Sequence, residues 1–171
     1  MKEAKINKYY KCSRCHKEFG QQEICIIDDH PVCPSCIYGS LKPFEIYPIG
    51  EVRNDLGRAE TGFGTVGKEG ISRIELIESQ RPFLYKLEEE KKITVVYYLH
   101  ETKAVKSVFN RGIDGKKVGV FASRTPYRLS KIAIQDVELV NIEQTTLYVR
   151  GLDAVNGSPV LDIKMKNNKS F

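Results

Sequence analysis

No apolar run in this chain is long enough to cross a membrane as a helix. The longest of note, ITVVYYL at 93–99, falls far short of the roughly 20 residues such a span needs. The opening MKEAKINKYYK carries charge with no apolar stretch behind it, so it does not read as a secretory signal, and a cytoplasmic location is expected. There is no GxSxG elbow, and neither GxGxxG nor GxxxxGK(S/T) joins a strand to a helix, which sets aside serine-hydrolase and phosphate-loop chemistry. No cysteine follows Cys36, excluding a thiol nucleophile from the rest of the chain. Internal repeats are missing, and KMKNNKSF at the end is the one biased segment. A polybasic arm is absent too: residues 1–43 carry 7 basic and 5 acidic side chains, and 44–171 carry 20 and 17. What is left is a 171-residue chain, 41% hydrophobic and 29% charged, with net charge +5. That suits one globular domain with a small added module, and permits nucleic-acid binding without demanding it.

All five cysteines lie between 12 and 36. Cys12-x-x-Cys15 and Cys33-x-x-Cys36 are two matched pairs, each able to turn two thiolates toward one ion from a tight knuckle. Two disulfides conflict with the lack of a secretion signal, and a redox CxxC needs an open, electropositive setting. A closed structural zinc site with Cys12, Cys15, Cys33 and Cys36 as ligands is therefore expected, the metal supplying free energy that so short a segment cannot gain from a core. Cys25 reads as a small apolar filler, and His16 and His30 as bystanders. EICII reads as a strand, DDHP as a turn, and Pro34 to Tyr38 as a helical turn or more. The module is placed at 1–43, with GSLKP at 39–43 as linker.

Residues 44–171 read as a second domain. FEIYPIGEV looks like a strand, and NDLGRAETGFGTVGKEG at 54–70 is a glycine-rich loop suited to closing over a ligand. RPFLYKLEEE at 81–90 reads as a short helix with Phe83, Leu84 and Leu87 inward. ISRIELIE, KITVVYYL, KKVGVFAS, KIAIQDVELVNIE, TTLYVRGL and PVLDIKM are short, β-branched or aromatic, and bounded by turns. The expected fold is mainly β: a small antiparallel barrel with one or two short helices, preceded by the zinc finger. Within the link GVFASRTPYRLSKIA at 119–133, Arg124 and Arg128 offer planar forks suited to an anion. The alternative is that both are rim arginines paired with surface acids.

PIGEV, YYLHE at 97–101, GVFASRTPYR at 119–128 and GLDAVNGSPVLDIK at 151–164 occur in an order that resembles the TrmO (YaeB/TsaA-like) family, over nearly all of 44–171. The resemblance implies a β-barrel, S-adenosylmethionine-dependent methyltransferase acting by N6 methylation of threonylcarbamoyladenosine beside the tRNA anticodon, with tRNA as partner and a homodimer as assembly. It implies cofactor contacts from Phe121, Ala122, Ser123, Arg124 and Arg128, and from Leu152, Ser158, Pro159, Val160, Asp162 and Lys164. His100 and Asp153 are the candidates for removing the acceptor proton. The chain departs from the family where RPNPIG is replaced by Arg128 to Ala133, where DGTP becomes Asn156 to Pro159, and where IKPY becomes Ile163 to Lys166. Those changes leave open another methyl acceptor, or a non-catalytic protein that binds S-adenosylmethionine or another ligand and uses the finger for docking.

Overall fold

The computed structural model describes residues 8–54 and 70–166, so the body of the expected glycine-rich loop lies outside the described residues. Two compact units are formed: Met1–Glu45 with Lys103–Leu129, and Ile46–Thr102 with Ser130–Phe171. No helix among the described residues is long and apolar enough to cross a membrane.

In the first unit, β1 (Tyr9–Lys11) pairs antiparallel with β2 (Glu18–Gly20), and β3 (Cys25–Ile27) with β4 (His30–Val32). Asp28 and Asp29 join β3 to β4 with φ of 48° and 66°, a two-residue turn whose left-handed backbone Asp tolerates better than most residues. Helix α1 (Pro34–Tyr38) starts on Pro34, where a missing N–H costs nothing.

The second unit begins with β5 (Gly50–Arg53), β6 (Ile71–Leu76) and β7 (Lys92–Tyr98). The chain then returns to the first unit for β8 (Val108–Asn110) and β9 (Lys117–Gly119), and finishes with β10 (Ile132–Glu143), β11 (Thr146–Arg150) and β12 (Pro159–Met165). Six strands close a barrel in the order β10-β11-β6-β5-β12-β7, every pairing antiparallel. The alternation read in KITVVYYL is what β7 uses: Ile93, Val95 and Tyr97 are buried, and the residues between them are not. With Val52, Ile74, Leu147, Val149, Leu152, Ala154 and Val160 they form the core of the barrel. Gly50 is fixed by space, since a Cβ there would lie 2.4 Å from the Glu75 carbonyl oxygen on the neighbouring strand.

Three local expectations are revised. The helix at 81–90 is instead two 3-10 turns, Glu78–Leu84 and Leu87–Glu89, because Pro82 removes a donor and Lys86 is left-handed at φ 64°. Leu84 and Leu87 pack on the core as expected, whereas Phe83 is exposed. FEIYPIGEV is strand only from Gly50, with Phe44 and Tyr47 exposed. KKVGVFAS is strand only over β9, which pairs with β8 rather than with the barrel, and then turns through a 3-10 segment at Val120–Ala122.

The β8–β9 segment is tied to the finger. Ile27 and Val105 form a parallel bridge, and the Asp28 N–H donates to the Val105 carbonyl at 3.1 Å. The Asp28 carboxylate accepts from the Ser107 N–H at 2.9 Å and from the Ser107 hydroxyl. Those two hydrogen bonds hold the carboxyl below its ordinary value of 3.8, the hydroxyl contact first and the N–H second.

Candidate functional site

The four paired cysteines converge. The Sγ atoms of Cys12, Cys15, Cys33 and Cys36 all lie within 4.8 Å of one another, with Cys15 and Cys33 at 3.7 Å. A tetrahedral zinc with Zn–S near 2.3 Å needs sulfurs about 3.8 Å apart, so the donor set fits that ion with only small contraction. Cys12 and Cys33 are buried, and the Cys33 N–H donates to the Cys12 sulfur at 3.4 Å. Backbone N–H groups, that of Cys15 first, draw the Cys12 thiol down to about 6. Its hydrogen bond with Cys33, followed by burial, pushes Cys36 up to about 12. A divalent cation at the centre of the four sulfurs would favour the thiolate form of each.

Residues 119–128 form an arch tied from within. The guanidinium of Arg128 donates from Nε to the Thr125 carbonyl at 3.2 Å, and from one terminal nitrogen to the carbonyls of Val120, at 3.1 Å, and Ser123. Its Cζ lies 5.9 Å from the Phe121 ring centroid. The Ser123 hydroxyl donates to the Val120 carbonyl at 3.1 Å and accepts from the Thr125 N–H at 3.3 Å. Arg128 is therefore the internal brace of this loop. Arg124 is exposed, as are Ala122 and, at 87%, Phe121, so a guanidinium and an aromatic face stand out from the braced arch.

The remaining predicted residues lie on the barrel unit. His100 Nδ1 is 3.4 Å from the Ser158 hydroxyl, and its Nε2 is 4.0 Å from a Glu101 carboxylate oxygen. Ser158 is buried and His100 is about one-third exposed. The Asp153 N–H donates to the Gln135 side-chain oxygen at 2.9 Å, the Gln135 amide nitrogen donates to the Gly151 carbonyl at 2.6 Å, and the Tyr97 hydroxyl lies 3.5 Å from the same Gln135 oxygen. Burial first, and the Asp153 carboxylate second, push Tyr97 up to about 12. Leu152 and Val160 are fully buried in the core, so what they offer a ligand is backbone. Pro159 pairs with Glu51 at the start of β12. Asp162 and Lys164 form an ion pair with each other, beside a break in the β12–β7 register between Val160 and Asp162.

The structure thus brings His100 to Ser158, Asp162 to Lys164, and Arg128 to Phe121, while residues 121–128 and the barrel residues belong to different units. Sequence reasoning missed Gln135, Glu101 and Tyr97. Glu101 follows His100 directly in YYLHE, but Gln135 and Tyr97 meet only through the β10–β7 register.

The family model described as tRNA-methyltransferase O N-terminal domain matches residues 63–168. The chain belongs to this family. The TrmO match takes in both 119–128 and 151–164, and leaves the cysteine centre and β5 outside it. Among relatives, the S-adenosyl-L-methionine-binding protein of Archaeoglobus fulgidus is 33% identical over 119 residues, covering 68% of this chain and 85% of that protein. The human tRNA (adenine(37)-N6)-methyltransferase is 40% identical over 52 residues, which is 30% of this chain and 12% of the human protein. The crystal structure of TrmO from Pseudomonas aeruginosa superposes with a TM-score of 0.57 at 23% identity, covering 74% of this chain and 57% of that one, and shares the fold. The chain thus spans a little over half of the solved TrmO chain.

Proposed function

We propose that the chain is an S-adenosylmethionine-dependent methyltransferase acting on a modified tRNA adenosine, with N6 methylation of threonylcarbamoyladenosine as its reaction and a cytoplasmic homodimer as its working form. The observation that carries this reading is the family match over 63–168, which takes in every residue proposed for cofactor binding and proton removal. Relatives named for S-adenosylmethionine binding and for tRNA methylation support it.

Bound S-adenosylmethionine supplies an electrophilic methyl group on its sulfonium. In this reading Arg124 pairs with the carboxylate of the cofactor and Phe121 offers a face to an aromatic ring. Arg128 positions both by bracing their loop, as do the internal bonds of Ser123. The acceptor nitrogen gains the methyl and must give up a proton. With Nδ1 of His100 facing Ser158, Nε2 is the ring atom that takes it, and Glu101 stabilises the resulting cation. Asp153 is the alternative acceptor, and Gln135 fixes its backbone. Little covalent help is needed, because alignment and exclusion of water supply most of the rate. Cys12, Cys15, Cys33 and Cys36 hold a structural zinc in the same reading.

The test is calorimetric titration with S-adenosylmethionine, followed by incubation of the protein with methyl-labelled cofactor and tRNA bearing the modified adenosine. Saturable binding and label in the tRNA are expected. No binding at millimolar cofactor sinks the reading altogether, and binding without transfer to tRNA or any small-molecule acceptor reduces it to ligand binding.

A further inference from the structure

The first unit holds a concentration of positive charge that the proposed methyl-transfer residues do not explain. Residues 1–45 and 103–129 carry 14 basic and 7 acidic side chains, while 46–102 and 130–171 carry 13 and 15. The excess charge of the whole chain therefore sits on this one unit. Within 103–129 there are seven basic residues and a single acid, Asp114. That acid is already engaged: Arg111 Nε donates to it at 2.9 Å and a second guanidinium nitrogen also binds it. Lys116 Nζ also approaches that carboxylate at 4.0 Å and Lys106 lies in the field of the Asp28 carboxylate, so the segment's excess of six positive charges is offset only in part.

This charge borders aromatic rings. An open groove of about 680 Å³ is lined by Lys106, Val108, Phe109, Asn110, Lys117 and Tyr127, a volume within the roughly 300–1,000 Å³ of small-ligand sites. Phe109 and Tyr127 meet edge to face with centroids 5.9 Å apart. Lys106 Nζ stands 5.0 Å from the Tyr127 ring centroid. Asn110 and Lys117 face each other across the β8–β9 ladder, placing an amide beside a second ammonium.

We infer that this groove binds an unpaired stretch of RNA, with a base stacked against Tyr127 and Phe109 and flanking phosphates on Lys106 and Lys117. Ammonium groups bordering aromatic faces are what a single strand needs, since every base has a face to stack and every step carries a phosphate. A duplex keeps its bases stacked on one another and cannot use the rings. An acidic peptide would satisfy the lysines alone. The choice of RNA over single-stranded DNA rests on the proposed function; the groove chemistry does not.

The test is fluorescence anisotropy with a fluorescein-labelled RNA hairpin carrying an unpaired loop, a DNA hairpin of the same sequence, and an RNA duplex of the same length. Lys106 and Lys117 are exposed, so the double variant Lys106→Gln/Lys117→Gln disturbs no packing, and Tyr127→Leu probes stacking separately. The RNA hairpin should bind the wild type more tightly than either competitor. The double variant should weaken it at least tenfold and make the slope of log K against log salt shallower by about 1.4, at roughly 0.7 per lost phosphate contact. Affinity for S-adenosylmethionine should stay unchanged in that variant. Equal binding of hairpin and duplex, full displacement of the RNA by polyglutamate at equal charge, or an unaltered slope in the double variant overturns the inference. Methylation of tRNA by the wild type with unaltered RNA affinity in the variants removes the groove alone. The expected affinity losses without any methyl transfer remove the proposed function and leave the groove standing.

Discussion

Replacing Asp28 by alanine should release the β8–β9 segment from the finger while the finger stays folded. Asp28 is the residue through which the β3–β4 turn grips Ser107, using one carboxylate oxygen for the N–H and the other for the hydroxyl. Hydrogen bonds to a charged acceptor contribute about 1.5–3 kcal/mol each when well shielded. Asp28 is only half-buried, so solvent screening brings the pair to about 2 kcal/mol together. Alanine also tolerates the left-handed backbone at φ 48° less well, adding about 1 kcal/mol. Asp28→Asn separates the effects, keeping the turn and one acceptor while losing the charge. The assay is native-state hydrogen exchange at the Ser107 amide. A loss of about 3 kcal/mol in Asp28→Ala raises the open population at Ser107 roughly 150-fold, with Asn in between and the amides of the barrel unmoved. The pH dependence follows from the depressed carboxyl. Because the folded value lies below the ordinary 3.8, the stabilisation is complete above about pH 4 and is lost as pH falls through the folded value. The opening equilibrium at Ser107, taken relative to the intrinsic exchange rate at each pH, should therefore rise in acid and be flat above about pH 4. Unchanged protection in Asp28→Ala, or loss spread equally over the barrel, refutes the reasoning.

Metal analysis should find about one zinc per chain, and a chelator should raise exchange in 8–45 and in 103–129 together while the barrel amides stay protected; protection of 103–129 that survives chelation contradicts the tie through Asp28. Arg124→Ala should weaken S-adenosylmethionine binding by about 2 kcal/mol in calorimetry, and an unchanged affinity assigns Arg124 to the surface. Leu147 is fully buried in the barrel core, so Leu147→Ala should cost about 2–5 kcal/mol in a denaturant titration of the barrel. Gly50→Ala should destabilise the β5–β6 pairing, read as faster exchange along Gly50–Arg53, because the added carbon meets backbone rather than a movable side chain.

The barrel was legible because its strands carry period-two patterns or β-branched runs that survive as β7, β10, β11 and β12 at nearly the expected bounds. The cysteine cluster was legible because two CxxC pairs have few geometries open to them. Pairing partners were not. KKVGVFAS looks like any other strand until β8 is known to lie opposite it, and nothing local says that Val105 bridges Ile27. The two arginines of the 119–128 link read alike from composition. Only the curl of the loop shows that Arg128 faces the carbonyls of Val120, Ser123 and Thr125 while Arg124 faces solvent. Gln135 was invisible for the same reason, since its role depends on where 151–153 returns beside β10.

Strand β12 is hydrogen-bonded on one side to β5 and on the other to β7, and both are made long before it. During synthesis the sheet must wait, with two backbone edges open, for the last strand to emerge from the ribosome and seal the cylinder. Chains cut short before Pro159 should keep those edges exposed and be prone to stick to one another, which makes the closing strand the segment least able to tolerate truncation.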